Sequence, residues 1–519
     1  MMVNAVNREL PDIIGDYTVK PYENAYAEVT SDLIVTRRRM GHRLPGTSKL
    51  LSGLQEAIIK SGLKDGMTIS FHHCFREGDR IIGQVLTEIR KSGIRNLGFA
   101  PSAVVNITNP SVAEFVKDKT ITRIEASGIR GELGAVVSEG FMEQPVIFRP
   151  HGGRPRAIEA GELQIDVAFI GASVSDDYGN CTGLIGKNAC GSLGYAFVDA
   201  CHAGCVIVVT DELVPYPCVP VSISQQYVDY VVKIDNIGDA KKIGTGAARL
   251  TQNPRDLLIA AKCTEVVAAS RRFKEGYSFQ TGAGAISIAV TKFLMEKAKE
   301  KGIVASFALG GIPAAIIDMY DAGLIRVVAC SQSFDSIAAR AIADRSGVLE
   351  IDNADYANAY SKGGFLNRED FGVLGALEVD MNFNVNILTG SDGRIMGGLG
   401  GGPDVAAGAQ ISIVVLPIVR GRVPSVVKRV FTVCEPGETI AAVVTEAGTA
   451  LNPRHKNYTE LKEDLESKGI RPVSIDYLQK TAEKLTGIPK PIQTTDKIVG
   501  VVEYRDGTVL DVIRKVKSE

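Results

Sequence analysis

Short apolar runs, each ended by turn residues, recur along this chain. Ala100–Asn106, Thr122–Ala126, Val167–Gly171 and Cys205–Thr210 lack polar alternation, the pattern of strands covered on both faces. Met67–Phe71 reads as a strand, and Ile81–Ser92 as the helix that follows it. From Thr47 the spacing is helical, with Leu50, Leu51, Leu54, Ala57 and Ile58 on one face. Strands in alternation with helices predict an α/β fold with mainly parallel sheets.

The pattern is used twice. Asp166, Gly171, Ala172, Asp176 and Asn180 recur in register as Asp370, Gly375, Ala376, Asp380 and Asn384. The echo continues in Ala203-Gly204 and Ala407-Gly408, each placed before an apolar run. A glycine-rich stretch lies inside each copy, at Gly186–Gly194 and at Gly397–Gly402. The reading is therefore two similar α/β domains, 51–275 and 276–519, behind an N-terminal extension over 1–50 that wraps the first. The boundary falls where charge rises around Ser270–Tyr277. Charged helical stretches from Tyr458 onward are expected to close the second domain. A site is expected where the copies meet, because clefts between domains favour small ligands.

Composition narrows the classes. Apolar residues make up 45% and charged residues 23% of 519 residues, with a net charge of −2. That leaves no basic footprint for nucleic acid. The longest apolar runs, such as Ile411–Val419, are too short to cross a membrane. The first residues carry no secretory pattern, and nine irregularly spaced cysteines read as reduced thiols; a cytoplasmic protein is expected. Cys201-His202 and Cys205 have loose spacing for zinc, so no metal is assigned.

Ligands of open α/β sheets bind at the carboxyl ends of strands. This places four segments together: His72–Asp79, Gln280–Ala285, Leu309–Pro313 and Gly397–Pro403. Gly397-Gly-Leu-Gly-Gly-Gly402 holds five glycines in six residues, more than a turn needs. A dinucleotide fingerprint counted from Gly398 would require glycine at Pro403, and no Lys-Ser/Thr ending makes a P-loop. The segment is read as an oxyanion or thioester-carbonyl site. Gln280 and Gly282 precede a helix, where an amide can meet a carbonyl or where the stretch is a plain cap. His72, His73, Arg76, Glu77 and Asp79 form the densest polar cluster; Arg suits carboxylates and neutral His relays protons. No Gly-x-Ser-x-Gly elbow supports a Ser-His-Asp site. His151 and Glu446 are read as structural.

These motifs resemble coenzyme A transferases, through the duplicated Asp-to-Asn pattern, Gly310-Gly311-Ile-Pro313 and the late glycine cluster. More narrowly, Gly41-His-Arg-Leu-Pro-Gly46, Phe71-His-His-Cys-Phe-Arg-Glu-Gly-Asp79 and Ser278-Phe-Gln-Thr-Gly282 resemble citrate lyase alpha subunits. The resemblance implies a coenzyme A transferase-like fold and a reaction in which acetyl-carrier protein and citrate give citryl-carrier protein and acetate. It implies a coenzyme-A-like prosthetic group supplied by an acyl carrier protein subunit, or free acetyl-CoA, and a citryl-lyase subunit as second partner in an oligomer. Many coenzyme A transferases carry a Ser-Glu-Asn-Gly turn with a glutamate nucleophile; this chain has Gln280 in the comparable stretch. The resemblance thus implies a ternary complex in which a citrate carboxylate attacks the thioester, giving a mixed anhydride. Gln280, Gly282, Gly400 and Gly401 take the catalytic roles in this reading, with the oxyanion also served by Gly398 and Gly402. Arg76 with His72 or His73 holds citrate, beside Gly310 and Gly311. The rival readings are a free-standing coenzyme A transferase or acyl-CoA thioesterase on small carboxylates, and a non-catalytic binder on the same fold.

Overall fold

A computed structural model describes residues 1–26, 46–244, 251–282 and 284–517. Gly41–Pro45, most of the Gly41–Gly46 motif, lies outside the described residues.

Two large sheets carry the two copies. The first runs in the order Val509–Val516, Thr494–Glu503, Val146–Phe148, Ile121–Ala126, Leu97–Pro101, Thr68–Phe71, Val167–Gly171, Cys205–Thr210, Tyr230–Lys233, Leu50–Leu51. The second runs Val348–Glu350, Ile325–Ser333, Ala305–Ile312, Ser278–Thr281, Phe371–Gly375, Ile411–Val415, Ala442–Thr445, Gly448–Leu451. Apart from their terminal hairpins both sheets are parallel. From Thr68–Phe71 the chain builds outward in one direction, then returns to lay Val167–Gly171 on the other side. Ser278–Thr281 and Phe371–Gly375 repeat that reversal. Each reversal opens a crevice at the strands' carboxyl ends.

The echoed residues explain why the copies fold alike. The Asp166 carboxylate accepts from the Thr68 N–H at 2.8 Å, and Asp370 accepts from Ser278 N–H at 3.0 Å. Each aspartate thereby ties the start of its own strand to the start of the neighbour. Asp176 accepts from the Gly179 and Asn180 N–H groups, and Asp380 from those of Asn382 and Asn384. These are side-chain-bonded turns, the usual use of Asp in loops. Val167–Gly171 and Cys205–Thr210 match their expected bounds.

Three expectations are corrected. Leu50–Leu51 is an edge strand paired to Val231 and Val232, and the helix begins only at Leu54. The strand expected over Ala100–Asn106 is Leu97–Pro101, and residues 102–108 form a loop. The helices Tyr458–Ser467 and Ile475–Thr486 agree with the charged pattern, but the last hairpin does not close the second domain. Thr494–Glu503 pairs in parallel with Val146–Phe148 of the first sheet. The N-terminal residues pack on this returning hairpin, where the Tyr22 N–H donates to Val509 O at 3.1 Å.

The fully buried Glu503 pins the hairpin, accepting from Arg149 Nε at 2.8 Å and Arg156 Nη2 at 2.9 Å. Removing one partner of a buried ion network leaves charge uncompensated. Glu503→Ala is expected to lower stability by about 3 kcal/mol in urea unfolding; a loss below about 1 kcal/mol would remove this anchoring role.

A candidate acyl-transfer cleft between the two copies

The lobes meet through backbone. The Leu399 N–H donates to Ser127 O at 2.7 Å, and the His151 N–H to Gly400 O at 2.8 Å. Gly128 lies against Gly398 so closely that a Cβ on Gly128 would fall 2.4 Å from the Gly398 Cα. Only glycine permits that approach. Leu388, Ile395 and Leu399 of the second copy enter the hydrophobic core of the first.

Beside this seam lies a cavity of about 860 Å³, within the range of about 300–1,000 Å³ usual for small-molecule sites. Its floor is the reversal crevice of the second sheet, with Gln280, Thr281, Gly282, Leu374 and Gly375. One wall is the glycine segment Gly398–Gly402. The first copy contributes His73, Arg76, Glu77, Arg130 and Lys242, with the apolar loop Ala103–Val105. Three of the four segments brought together by sequence reasoning line this one crevice directly, and the fourth reaches it through Gly311.

The equivalent crevice of the first copy is filled. A Cβ on Gly171 would strike Phe75 and Ile81 at 2.5 Å, whereas no described atom lies within 4 Å of the same position on Gly375. The polar helical turn after Thr68–Phe71 thus plugs its own crevice with Phe75 and carries His73, Arg76 and Glu77 to the other one.

The predicted residues divide. Gln280 rests on Gly310, where a Cβ would lie 2.5 Å from its amide nitrogen, and donates to the Tyr356 hydroxyl at 3.0 Å. Its carbonyl oxygen is buried without a partner among the described residues. Gly310 is thus a seat under Gln280 and does not line the cavity, while Gly311 does. Gly400 and Gly401 have N–H groups without a hydrogen-bond partner among the described residues. The Gly402 N–H donates to Leu399 O at 3.1 Å and the Gly282 N–H to Val373 O at 3.1 Å; neither is free to bind an oxyanion, because the first closes a turn and the second continues the parallel pairing of Ser278–Thr281 with Phe371–Gly375. Gly398 lines the wall.

Arg76 is buried and strained. Its φ of 48° and ψ of −134° are rare for a side-chain-bearing residue, a condition that surrounding structure must enforce. The guanidinium donates to Phe334 O and lies over the Phe334 ring, 5.1 Å from its centroid. Its Nε has no partner among the described residues. Burial pushes Arg76 down to about 10, partly offset by Asp335, so it stays charged at neutral pH. His73 faces the cavity with Nδ1 2.6 Å from Ser102 Oγ. Burial, then the neighbouring His151 and Arg76, push it well below the ordinary histidine value, so it is a neutral donor.

His72 turns the other way. Its Nε2 is 2.8 Å from Asp199 Oδ2, and Arg154 donates to both Asp199 oxygens at 2.6 and 2.8 Å. All three are buried. His72 therefore belongs to an internal ion network, not to a ligand wall, because successive residues at the strand end point to opposite sides. Asp79 is buried too; it accepts from the Ile81 and Ile82 N–H groups and starts the helix. Glu77 accepts from the Asn106 and Ile107 N–H groups at the cleft edge. Glu446 accepts from Ile418 N–H at 2.8 Å, a structural contact.

Sequence reasoning passed over several lining residues. His151 is not isolated: its Nδ1 sits 2.7 Å from the Tyr195 hydroxyl, and its ring packs against His73 at 5.8 Å. Burial lowers it to about 3. Tyr195, Tyr356, Arg130, Lys242 and Glu435 also line the cavity. They lie far apart in sequence, and no local pattern announces them. No helix of the described residues is long and apolar enough to cross a membrane.

The cleft sets cations and neutral donors around a crevice at a sheet reversal, on a duplicated coenzyme A transferase-like frame. Residues 47–516 match the family model for the alpha subunit of citrate lyase. The citrate lyase alpha chains of Klebsiella pneumoniae and Escherichia coli (strain K12) are 48% and 49% identical over 470 residues. Those alignments span 91% of this chain and 92% and 91% of theirs. The solved alpha subunit of citrate lyase from Streptococcus mutans, in complex with citrate, has a TM-score of 0.95 at 45% identity, covering 99% of this chain and 100% of that one. The alpha subunit of a malonate decarboxylase from Acinetobacter baumannii shares the fold, with a TM-score of 0.62 at 14% identity over 85% and 88% of the two chains. The chain belongs to the citrate lyase alpha-subunit family.

Burial alone would raise the Asp199 carboxyl, but Arg154 and His72 hold it well below the usual carboxylate range. Asp199→Ala should cost about 3–5 kcal/mol at pH 7. A depressed carboxylate stabilises above its unfolded pKa of about 3.9 and loses that contribution as pH falls further. The penalty should therefore shrink in unfolding titrations below about pH 4; an equal penalty at every pH would contradict the network.

Proposed function

We infer that this chain is the transferase subunit of a citrate lyase, exchanging the acyl group of a carrier thioester so that citrate enters and acetate leaves. The observation that carries the reading is one crevice lined both by Arg76, Arg130 and Lys242 and by Gly400 and Gly401, whose N–H groups have no partner among the described residues. Three cations suit a tricarboxylate. Backbone N–H groups suit a carbonyl oxygen that gains charge. Family membership favours this over the free-standing thioesterase reading.

The carrier's coenzyme-A-like group is a substrate that supplies the thioester. The apolar loop Ala103–Val105 and the open floor at Gly375 fit an uncharged arm entering the cleft. Arg76, with Nε unengaged, and the neutral His73 hold citrate carboxylates. Gly400 and Gly401 face the acyl oxygen, and the Gln280–Tyr356 pair fixes that wall. With Gln280 where a glutamate nucleophile stands in many coenzyme A transferases, citrate itself attacks the acetyl thioester. The mixed anhydride then passes the citryl group to the freed thiolate, and acetate departs. Holding the two reactants in contact can lower the barrier by about 7–11 kcal/mol, more than the roughly 3–4 kcal/mol from one oxyanion donor. Alignment between the lobes is therefore the larger contribution. The carrier subunit and a citryl-lyase subunit complete the complex in this reading.

Charge-assisted hydrogen bonds contribute about 1.5–3 kcal/mol. Arg76→Ala should therefore raise the KM for citrate roughly ten- to a hundredfold, measured by release of labelled acetate from acetyl-carrier protein. An unchanged citrate KM would remove Arg76 from the carboxylate site.

A further inference from the structure

Glu435 sits in an anion-receiving cleft yet carries a carboxyl. It is 0% exposed, and neither oxygen has a hydrogen-bond partner among the described residues. Buried polar groups are almost always satisfied, and an exception calls for a cause. The position is not loose. Val385 N–H donates to Glu435 O at 3.0 Å, and the Glu435 and Cys434 N–H groups return to Val385 O at 3.2 and 2.8 Å. The side chain reaches the cavity wall beside Ile387 and Gly402. A Cβ on Gly402 would fall 2.2 Å from the carboxyl oxygen Oε1, so glycine there is what leaves room for the acid.

Among the described residues no cation pairs with it. Burial alone pushes the Glu435 carboxyl up to about 8. Cys434, its titratable neighbour, is pushed up as well. An ionised carboxylate here would repel citrate and its transition state. A neutral acid would instead present one O–H donor.

On the acyl-transfer reading above, we propose that Glu435 acts as a neutral carboxylic acid that donates a hydrogen bond to the acyl oxygen on which charge develops, beside the N–H groups of Gly400 and Gly401. No bond forms to Glu435. Its proton stays on the carboxyl, strengthens its contact as the thioester carbonyl becomes an oxyanion, and relaxes when the oxyanion collapses and expels the thiolate. This assigns Glu435 the opposite role from a covalent nucleophile, which must be ionised to attack.

The test uses the chain in its complex, with acetyl-carrier protein and citrate as probes. Wild type is assayed first; without transfer to citrate the functional reading falls, and the proposal with it. With wild type active, Glu435→Gln keeps a neutral donor of the same shape. It should retain turnover within several-fold, and wild-type kcat should fall above about pH 8 while that of Glu435→Gln should not. Glu435→Ala should lose roughly 100- to 1,000-fold in kcat, the usual cost of an oxyanion donor, with citrate KM changed much less. A folded Glu435→Gln as inactive as Glu435→Ala would overturn the proposal in favour of an ionised or nucleophilic glutamate. So would hydroxylamine-sensitive acyl label on Glu435. Unchanged kcat in Glu435→Ala would also overturn it. Should Glu435→Ala fail to fold, the Gln variant and the two pH profiles decide alone.

Discussion

The contact of Gly128 with Gly398 governs the rest of this molecule. At that seam two backbones touch where any side chain would hold them apart. The flanking bonds, from Leu399 to Ser127 and from His151 to Gly400, continue the seam along the glycine segment. The contact fixes the wall of one copy against the crevice of the other. It leaves Gly400 and Gly401 with one face against protein and one toward the cavity. A site built on backbone N–H groups needs this kind of clamp, because its donors are only as well placed as the chain that carries them.

Duplication supplies the frame, and divergence supplies the site. Both copies repeat the Asp166 and Asp370 strand ties and the Asp176 and Asp380 turns. They differ at the crevice. Phe75 and Ile81 fill the first against Gly171, while Gly375 leaves the second open. The plug is not inert: the turn that carries Phe75 also carries His73 and Arg76, which project into the open crevice of the neighbour. One copy fills its own crevice and becomes a wall of the other's.

Legibility in the sequence depends on the range of the forces involved. Val167–Gly171 and Cys205–Thr210 can be read to the residue, because buried parallel strands are apolar runs with turn residues at their ends. Leu50–Leu51 misleads because its strand character comes from Val231 and Val232, far along the chain. Ala103–Val105 misleads differently: these residues are apolar to line a cleft, not to extend a strand. The glycine segment, Arg76 and His73 are legible because unusual composition comes directly after a strand end. His72 carries the same local signal, yet it points into the Asp199–Arg154 network. Glu435 and Tyr195 carry no local signal. Their place is set by pairing with Val385 within the second copy and by the helix Gly194–His202 within the first, and the two meet in one cleft only when the lobes dock.

The central claim is that one crevice holds the acyl donor and citrate at the same time. Initial rates measured over a grid of acetyl-carrier protein and citrate concentrations test it most directly. Simultaneous occupancy predicts double-reciprocal lines that intersect. Parallel lines, the signature of an acylated enzyme released before the second substrate binds, would contradict the account.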